Sequence, residues 1–268
     1  MKIFQNPKKS LGQNFLIDKN IIAKIVKAWN IDKDSVVLEI GAGYGNLTEE
    51  IISHNPKKIF VVEKDKKLYS FLKKNFENCK NIKLINNDIL NIIKNENLDK
   101  KIIVFGNLPY NISTQILAKF ILLEKWPPWY EVLILMFQKE VANRIIAKKN
   151  SKDYGRLSVL SNWRLDITKH FNISKNCFRP KPKIDSTILS FKPKINNEFN
   201  IKNPKNLEMV TRTLFSNRRK MINKNFLKLF KKDKTIADEL NLNLNLRPEE
   251  LNFEMFYKIT MKYEKLYN

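Results

Sequence analysis

Asn107-Leu108-Pro109-Tyr110 carries the densest chemistry in the chain. The Asn107 amide oxygen can accept a hydrogen bond, and the Leu108 carbonyl, set before a proline that forces extended backbone, can accept a second. An exocyclic amino group has two hydrogens to give. With both donated to fixed acceptors, its nitrogen lone pair is drawn out of conjugation with the base and offered to an electrophile, while the Tyr110 ring stacks on the base. This activates a nucleophile without a general base. Asn and Pro are also common turn formers, so the same four residues read equally as a strand-to-loop turn. The sequence upstream separates the two readings.

Upstream, Val36-Val37-Leu38-Glu39-Ile40 is a buried-strand pattern that runs into Gly41-Ala42-Gly43-Tyr44-Gly45 and then a helix from Leu47 to Ser53. Strand, glycine turn and helix open a doubly wound α/β fold, where Gly41 and Gly43 let the backbone approach a nucleotide-like ligand. The dinucleotide fingerprint GxGxxG needs a sixth-position glycine, and Asn46 stands there, which disfavours NAD. A second strand, Ile59 to Val62, ends in Glu63, about twenty residues beyond the glycines, where a carboxylate can accept both ribose hydroxyls. A helix over Asp65 to Phe76 and a third strand, Ile82 to Ile85, lead to Asn87-Asp88-Ile89-Leu90. Asp88 can accept a ligand's adenine amino group and Ile89 can wall its face, although Asp88 also suits the N-cap of a helix from Ile89 to Lys94. A fourth strand, Ile102 to Phe105, delivers Gly106 and Asn107, with a helix over Ser113 to Leu123 behind them. All these residues stand at strand carboxyl ends, the binding edge of an open parallel sheet.

A fifth strand, Val132 to Phe137, and a helix, Lys139 to Ala147, continue the alternation. Tyr154 to Leu160 opens a further helix or strand. Phe178-Arg179-Pro180-Lys181-Pro182-Lys183-Ile184-Asp185-Ser186 is a proline-stiffened loop before a strand over Thr187 to Phe191. Phe178 is a candidate for the other side of a base sandwich with Tyr110, with core packing as its equal competitor. From Lys194 the alternation stops, and amphipathic stretches over Asn206 to Leu214, Asn217 to Phe230, Thr235 to Leu240 and Pro248 to Lys262 predict a small helical domain. The expected division is 1–193 and 194–268. Ahead of all this, a helix from Lys19 to Ala28 is capped by Asp18, and the arm Lys8 to Leu16 suits a loop that folds over a ligand.

The formal net charge of +23 predicts a field that attracts a polyanion, nucleic acid first. Lys- and Asn-rich codon usage would raise lysine everywhere, but the basic residues cluster. From Arg144 to Lys183 there are eleven basic residues against two acidic, and from Arg212 to Lys234 nine against one. Arg144, Arg156, Arg179, Lys181 and the run Arg218-Arg219-Lys220 at the start of the second tail helix are the candidate phosphate contacts; a solvated helix face is the bland alternative. Two cysteines, Cys79 and Cys177, with no CxxC and no histidine at ligand spacing, argue against a disulfide scaffold or a zinc site. His54 and His170 receive no chemistry. No signal-like or membrane-spanning apolar run occurs, so the cytoplasm is the expected compartment, with no membrane partner; a monomer without a metal is expected as well.

Taken in order, SLGQNFL (Ser10 to Leu16), EIGAGYGNLT (Glu39 to Thr48), VEKD (Val62 to Asp65), NDIL (Asn87 to Leu90), GNLPYNIST (Gly106 to Thr114), YGRLSV (Tyr154 to Val159) and FRPKPKIDS (Phe178 to Ser186) resemble the small-subunit ribosomal RNA adenine dimethyltransferases. The resemblance spans nearly the whole chain. It implies a Rossmann-like class I methyltransferase domain with a small C-terminal helical domain for RNA recognition. It implies S-adenosylmethionine as methyl donor and, as substrate, two adjacent adenosines near the 3′ end of small-subunit rRNA in an immature 30S-type subunit, each methylated twice at N6. By position it places Asn14 and Leu16 against the donor from the arm, Gly41 at its methionine end, Glu63 on its ribose, Asp88 on its adenine, and Asn107 where donor and target amine meet. Related enzymes acting on large-subunit rRNA share NxPYxIST; YGRLSV, the FRPKPKIDS loop and Phe215 to Ile222 look more like the small-subunit enzymes. Two other classes compete: an assembly factor that has lost transfer, opposed by intact Gly41, Glu63, Asp88 and Asn107, and a DNA adenine methyltransferase, opposed by a tail too small for a sequence-reading module.

Overall fold

The computed structural model describes residues 12–93, 101–196 and 198–267. Ser10 and Leu11 of the arm motif, and Lys94 at the expected end of a helix, lie outside them. Strand β1 (Phe15–Leu16) precedes α1 (Lys19–Val26), whose first turn is closed by the Asp18 carboxylate accepting from the Ile21 amide at 3.1 Å. The alternation then runs β2 (Val36–Ile40), α2 (Asn46–Ser53), β3 (Lys58–Val62), α3 (Lys66–Asn75), β4 (Ile82–Ile85), α4 (Ile89–Ile92), β5 (Ile102–Gly106), α5 (Ser113–Ile121), β6 (Tyr130–Gln138) and α6 (Lys139–Ile146). After it come α7 (Arg156–Arg164), β7 (Leu165–Ile173), β8 (Phe178–Arg179), β9 (Ser186–Pro193), α8 (Pro204–Leu214), α9 (Asn223–Leu229), α10 (Thr235–Glu239) and α11 (Phe253–Tyr267).

Among the described residues one seven-stranded sheet has the order β4-β3-β2-β5-β6-β9-β7. The first five strands are parallel, with Leu38 of β2 flanked by Phe60 of β3 and Val104 of β5. Order reverses between β3 and β5 around β2, which makes the carboxyl end of β2 a topological switch point where such sheets bind ligands. Strands β2, β3 and β5 are apolar on both faces because helices cover both faces, and Val37, Ile59, Val61 and Phe105 pack without solvent exposure in one cluster. β9 runs antiparallel to β6, from Gln138 opposite Ser186 to Leu133 opposite Phe191.

β7 and the second tail helix depart furthest from the sequence reading, while Phe15–Leu16 and Phe178–Arg179, read as arm and loop, pair as β1 and β8. β7 was not expected: Leu165, Ile167, Phe171 and Ile173 alternate as a strand should, but Lys169 interrupts the apolar series. The expected helix Asn217 to Phe230 is broken. A 3-10 turn covers Phe215–Asn217 and α9 begins only at Asn223, because the Lys220 amide donates to the Asn217 carbonyl and the Ile222 amide to Leu246, which stops the helical ladder. Arg218-Arg219-Lys220 therefore occupies a turn rather than the start of a helix.

The chain forms two compact units. The first runs to Phe120 and includes Pro127–Ala142 and Ile167–Pro193; the second takes Ile121–Trp126, Asn143–Asp166 and the chain from Lys194 onward. The helical unit is thus larger than a tail starting at Lys194. Tyr154 donates its hydroxyl to the Leu251 carbonyl, Tyr257 donates to that of Val159, and the buried Arg164 guanidinium donates to the carbonyls of Ile121 and Leu123. Those bonds fasten α7 and the Ile121–Trp126 segment into the second unit. No helix of the described residues is long and apolar enough to cross a membrane.

Candidate active site

A cleft opens over the carboxyl ends of β2, β3 and β5 and brings together Asn14, Leu16, Gly41, Gly43, Glu63, Asp88, Ile89, Asn107, Leu108, Pro109 and Tyr110. Its floor is the glycine turn. Gly41, Gly43 and Gly45 all take positive φ, at 72°, 59° and 78°, the region that suits glycine. A Cβ on Gly43 would meet the Phe15 ring at 2.8 Å, so that glycine admits the arm. The arm is further tied by Asn46, whose side chain donates to the Leu16 carbonyl at 2.7 Å, and by Gln13, which donates to Asp65 at 3.4 Å. Asn46 breaks the dinucleotide fingerprint and here serves the arm instead.

Glu63 is buried at the end of β3 with each carboxylate oxygen holding one backbone N–H, from Asp65 at 2.8 Å and Gly43 at 3.1 Å. Burial pushes its carboxyl above the usual range, against the pull of those two bonds, and the nearby Asp65 charge adds to the rise. Asp88 caps α4 by accepting from the Leu90 amide at 3.0 Å and pairs with Lys64 at 2.8 Å. Burial opposes its charge, but the Lys64 bond, the Leu90 amide and the Lys64 charge together hold it below the ordinary carboxylate value. The capping and cleft-lining roles coexist. Ile89 is buried beside it.

Asn107 follows β5, and its side-chain nitrogen donates to the Asn14 backbone carbonyl at 3.1 Å. A backbone carbonyl can only accept, so the amide is held nitrogen toward the arm and its oxygen faces the other way. The turn after it closes on the Pro109 carbonyl, from the Ile112 amide at 3.1 Å, and on the Tyr110 carbonyl, from the Ser113 hydroxyl at 3.2 Å; neither bond uses the carbonyl of Leu108. The Leu108 side chain is buried between Gly106 and the core, which fixes the backbone carrying that carbonyl. Tyr110 lines the cleft, half-buried, and its hydroxyl shares a hydrogen bond with Ser186 at 2.6 Å.

Phe178 is not among the residues that line the cleft. Its side chain is 3% exposed in the hydrophobic cluster beneath the cleft, because β8 pairs with β1 and the alternation of the strand turns Phe178 inward and Arg179 outward. Of the candidate phosphate contacts, Arg144, Arg179, Lys181, Arg219 and Lys220 are exposed. Arg156 pairs with Glu208 at 3.7 Å, and Arg218 is bound to Glu249 at 2.8 Å and to the Ser151 carbonyl at 3.0 Å. Arg218 is a clamp within its unit.

Four cleft or near-cleft residues received no role from sequence: Glu39, Lys64, Asn46 and Ser186. Glu39 is 1% exposed and accepts from the Thr48 hydroxyl at 2.6 Å; burial, opposed by that bond and reinforced by Glu63, pushes it up to about 8. An acid inside an otherwise apolar strand was the available signal.

The model of the family described as ribosomal RNA adenine dimethylase matches residues 4–265. The ribosomal RNA small subunit methyltransferase A of Pelagibacter ubique is 50% identical over 264 residues, covering 98% of this chain and 99% of that protein. That of the Wolbachia of Drosophila simulans is 39% identical, covering 99% and 97%. Among solved structures, a dimethyladenosine transferase from Plasmodium falciparum superposes with a TM-score of 0.76 at 27% identity, covering 94% of this chain and 98% of its own. The 23S rRNA methyltransferase ErmE shares the fold, with a TM-score of 0.66 at 22% identity over 93% of this chain and 99% of its own.

Proposed function

This chain belongs to the ribosomal RNA adenine dimethylase family, and we propose that it transfers methyl groups from S-adenosylmethionine to N6 of two adjacent adenosines in the 3′-terminal hairpin loop of small-subunit rRNA, twice on each, during small-subunit assembly. The observation that carries this reading is the orientation of Asn107, whose amide is pinned by the Asn14 carbonyl so that its oxygen remains as an acceptor. The names of its near relatives support a small-subunit rather than a large-subunit target.

The cleft fits the donor. A buried carboxylate with lone pairs left on both oxygens suits ribose hydroxyls, and the glycine turn leaves the space a side chain would fill: a Cβ on Gly41 would stand 3.5 Å from the Asn107 carbonyl. Glu63 holds the ribose, Asp88 and Ile89 the adenine, Gly41 and Gly43 the methionine end, and Asn14 and Leu16 close the arm over it. Asp88 already engages Lys64 and the Leu90 amide, so an adenine amino group uses a remaining lone pair or takes the place of Lys64. When bound, S-adenosylmethionine supplies a methyl group already activated on sulfonium sulfur.

The chain then has to orient the acceptor. In the first transfer Asn107 and the Leu108 carbonyl take the two N6 hydrogens; in the second, one of them takes the single hydrogen left and the methyl group already added occupies space beside Asn107, while Tyr110 stacks on the ring and Pro109 keeps the Leu108 carbonyl extended. The methylated nitrogen is a strong acid and gives its proton to solvent. A loop adenine is unstacked at lower cost than a paired one, and the exposed cations take RNA phosphates, Arg179 and Lys181 from the first unit and Arg144, Arg219 and Lys220 from the second. Phe178, on the strand paired with the arm, is the candidate for the second face of the base sandwich.

Incubation with tritiated S-adenosylmethionine and undermethylated small subunits, large subunits or plasmid DNA separates the readings. Label is expected only in the small subunit, as N6,N6-dimethyladenosine at two neighbouring loop positions. Label in large-subunit rRNA or DNA, or a product that stops at monomethyladenosine, would overturn the assignment.

A further inference from the structure

Ser186 opens β9, and β9 is antiparallel to β6. Where the parallel strands end at the cleft, an antiparallel strand begins, and the register sets Ser186 beside Gln138, the last residue of β6. Its side chain is fully buried, and its hydroxyl meets the Tyr110 hydroxyl at 2.6 Å, a short contact between residues 76 apart in sequence. The mounting of Ser186 is rigid. The Asp185 carbonyl accepts from the Lys139 amide at 2.9 Å, the Asp185 carboxylate accepts from the Lys175 amide at 3.0 Å, and Thr187 donates to the Asn172 side chain at 2.9 Å.

A tyrosine side chain swings among staggered wells about its Cα–Cβ bond, so fixing the backbone alone leaves the direction of the ring open. The Ser113 hydroxyl holds Tyr110 at its carbonyl and Ser186 holds it at the far end of the ring. We propose that Ser186 is a positioning residue for methyl transfer: its buried hydroxyl anchors the far end of the Tyr110 ring, fixing where the ring points, and so aligns the stacked adenine with the acceptors Asn107 and Leu108. This rests on the reading of Tyr110 as the face on which the target base stacks.

The test compares Ser186→Ala, Ser186→Thr, Tyr110→Phe, the Ser186→Ala/Tyr110→Phe double variant and Tyr110→Ala in the full chain on undermethylated small subunits, with donor affinity titrated separately. Ser186→Ala and Tyr110→Phe are each expected to lower kcat about tenfold, as a small misalignment of reacting groups does. The double variant is expected to be no slower than either single one, with donor affinity unchanged and Ser186→Thr restoring most of the rate. Tyr110→Phe removes the same bond without touching the buried strand, so a Ser186→Ala protein that fails to fold leaves the test intact. Wild-type kcat in Tyr110→Phe, or single losses that multiply in the double variant, would overturn the positioning role. If those singles are silent while Tyr110→Ala is slow, the stacking reading survives and the positioning role alone falls; if Tyr110→Ala also keeps full rate, both fall.

Discussion

Glu39 shows how much a single buried group can tell. It is closed from solvent, bonded to Thr48 and faces the Glu63 charge, and its carboxyl is raised from 4.5 to about 8. Below about pH 4.5 the group is neutral both folded and unfolded and costs nothing. Between 4.5 and 8 the folded protein holds the proton that the unfolded chain releases, so stability falls as pH rises, and above 8 the penalty is fully present. Glu39→Gln keeps an oxygen for the Thr48 hydroxyl and cannot ionise. Its unfolding free energy is therefore expected to gain on the parent between pH 5 and pH 9, by about 1–3 kcal/mol. Denaturant titrations at the two pH values check this, and a difference independent of pH would show that Glu39 is ionised in the fold. The same buried acid was visible as the one charge in Val36–Ile40, yet sequence alone could not distinguish a paired carboxylate from a neutral one.

Elements decide which of these residues meet. The glycine turn between β2 and α2 carries the arm as well as the ligand edge, because Phe15 sits where a Gly43 side chain would be. Gly43→Ala is expected to push the arm off and to strain a residue at φ 59°, costing about 1–2 kcal/mol of stability and weakening donor binding at least tenfold. Calorimetric titration with S-adenosylhomocysteine measures the second effect, and unchanged affinity would free the arm from the donor site. The parallel strands β2, β3 and β5 were legible because each is a nearly continuous apolar run that leads into a polar or glycine residue. β7 was not, because its outward face is polar and Lys169 breaks the inward series. The two-residue pairing of β1 with β8 has no periodicity at all to read. Ser186 was quoted within a motif but could be joined to Tyr110 only when β9 was seen to run against β6.

For the molecule as a whole, the charge of +23 sets association with a polyanion. Affinity for the small subunit is expected to fall linearly on a log–log plot as salt rises, and Arg219→Ala and Lys220→Ala are each expected to lower the slope by about one. Arg218→Ala differs. Its guanidinium is committed to Glu249 and Ser151, so its loss is expected to lower Tm by a few degrees with a smaller change in slope. A filter-binding series from 50 to 300 mM salt, paired with thermal melts, distinguishes the two kinds of arginine. A flat salt dependence would remove the exposed cations from the interface. The basic clusters were legible as clusters; which member is a clamp required partners that lie 31 and 67 residues away.

The proposed first transfer depends on an amine held by two oxygen acceptors. Its sharpest test is the single-turnover rate of Asn107→Ala on undermethylated small subunits at saturating S-adenosylmethionine, with donor affinity measured alongside. A rate lower by about 10²-fold or more, with donor affinity altered only a few-fold, is the expected result. Turnover equal to that of the parent protein would contradict it.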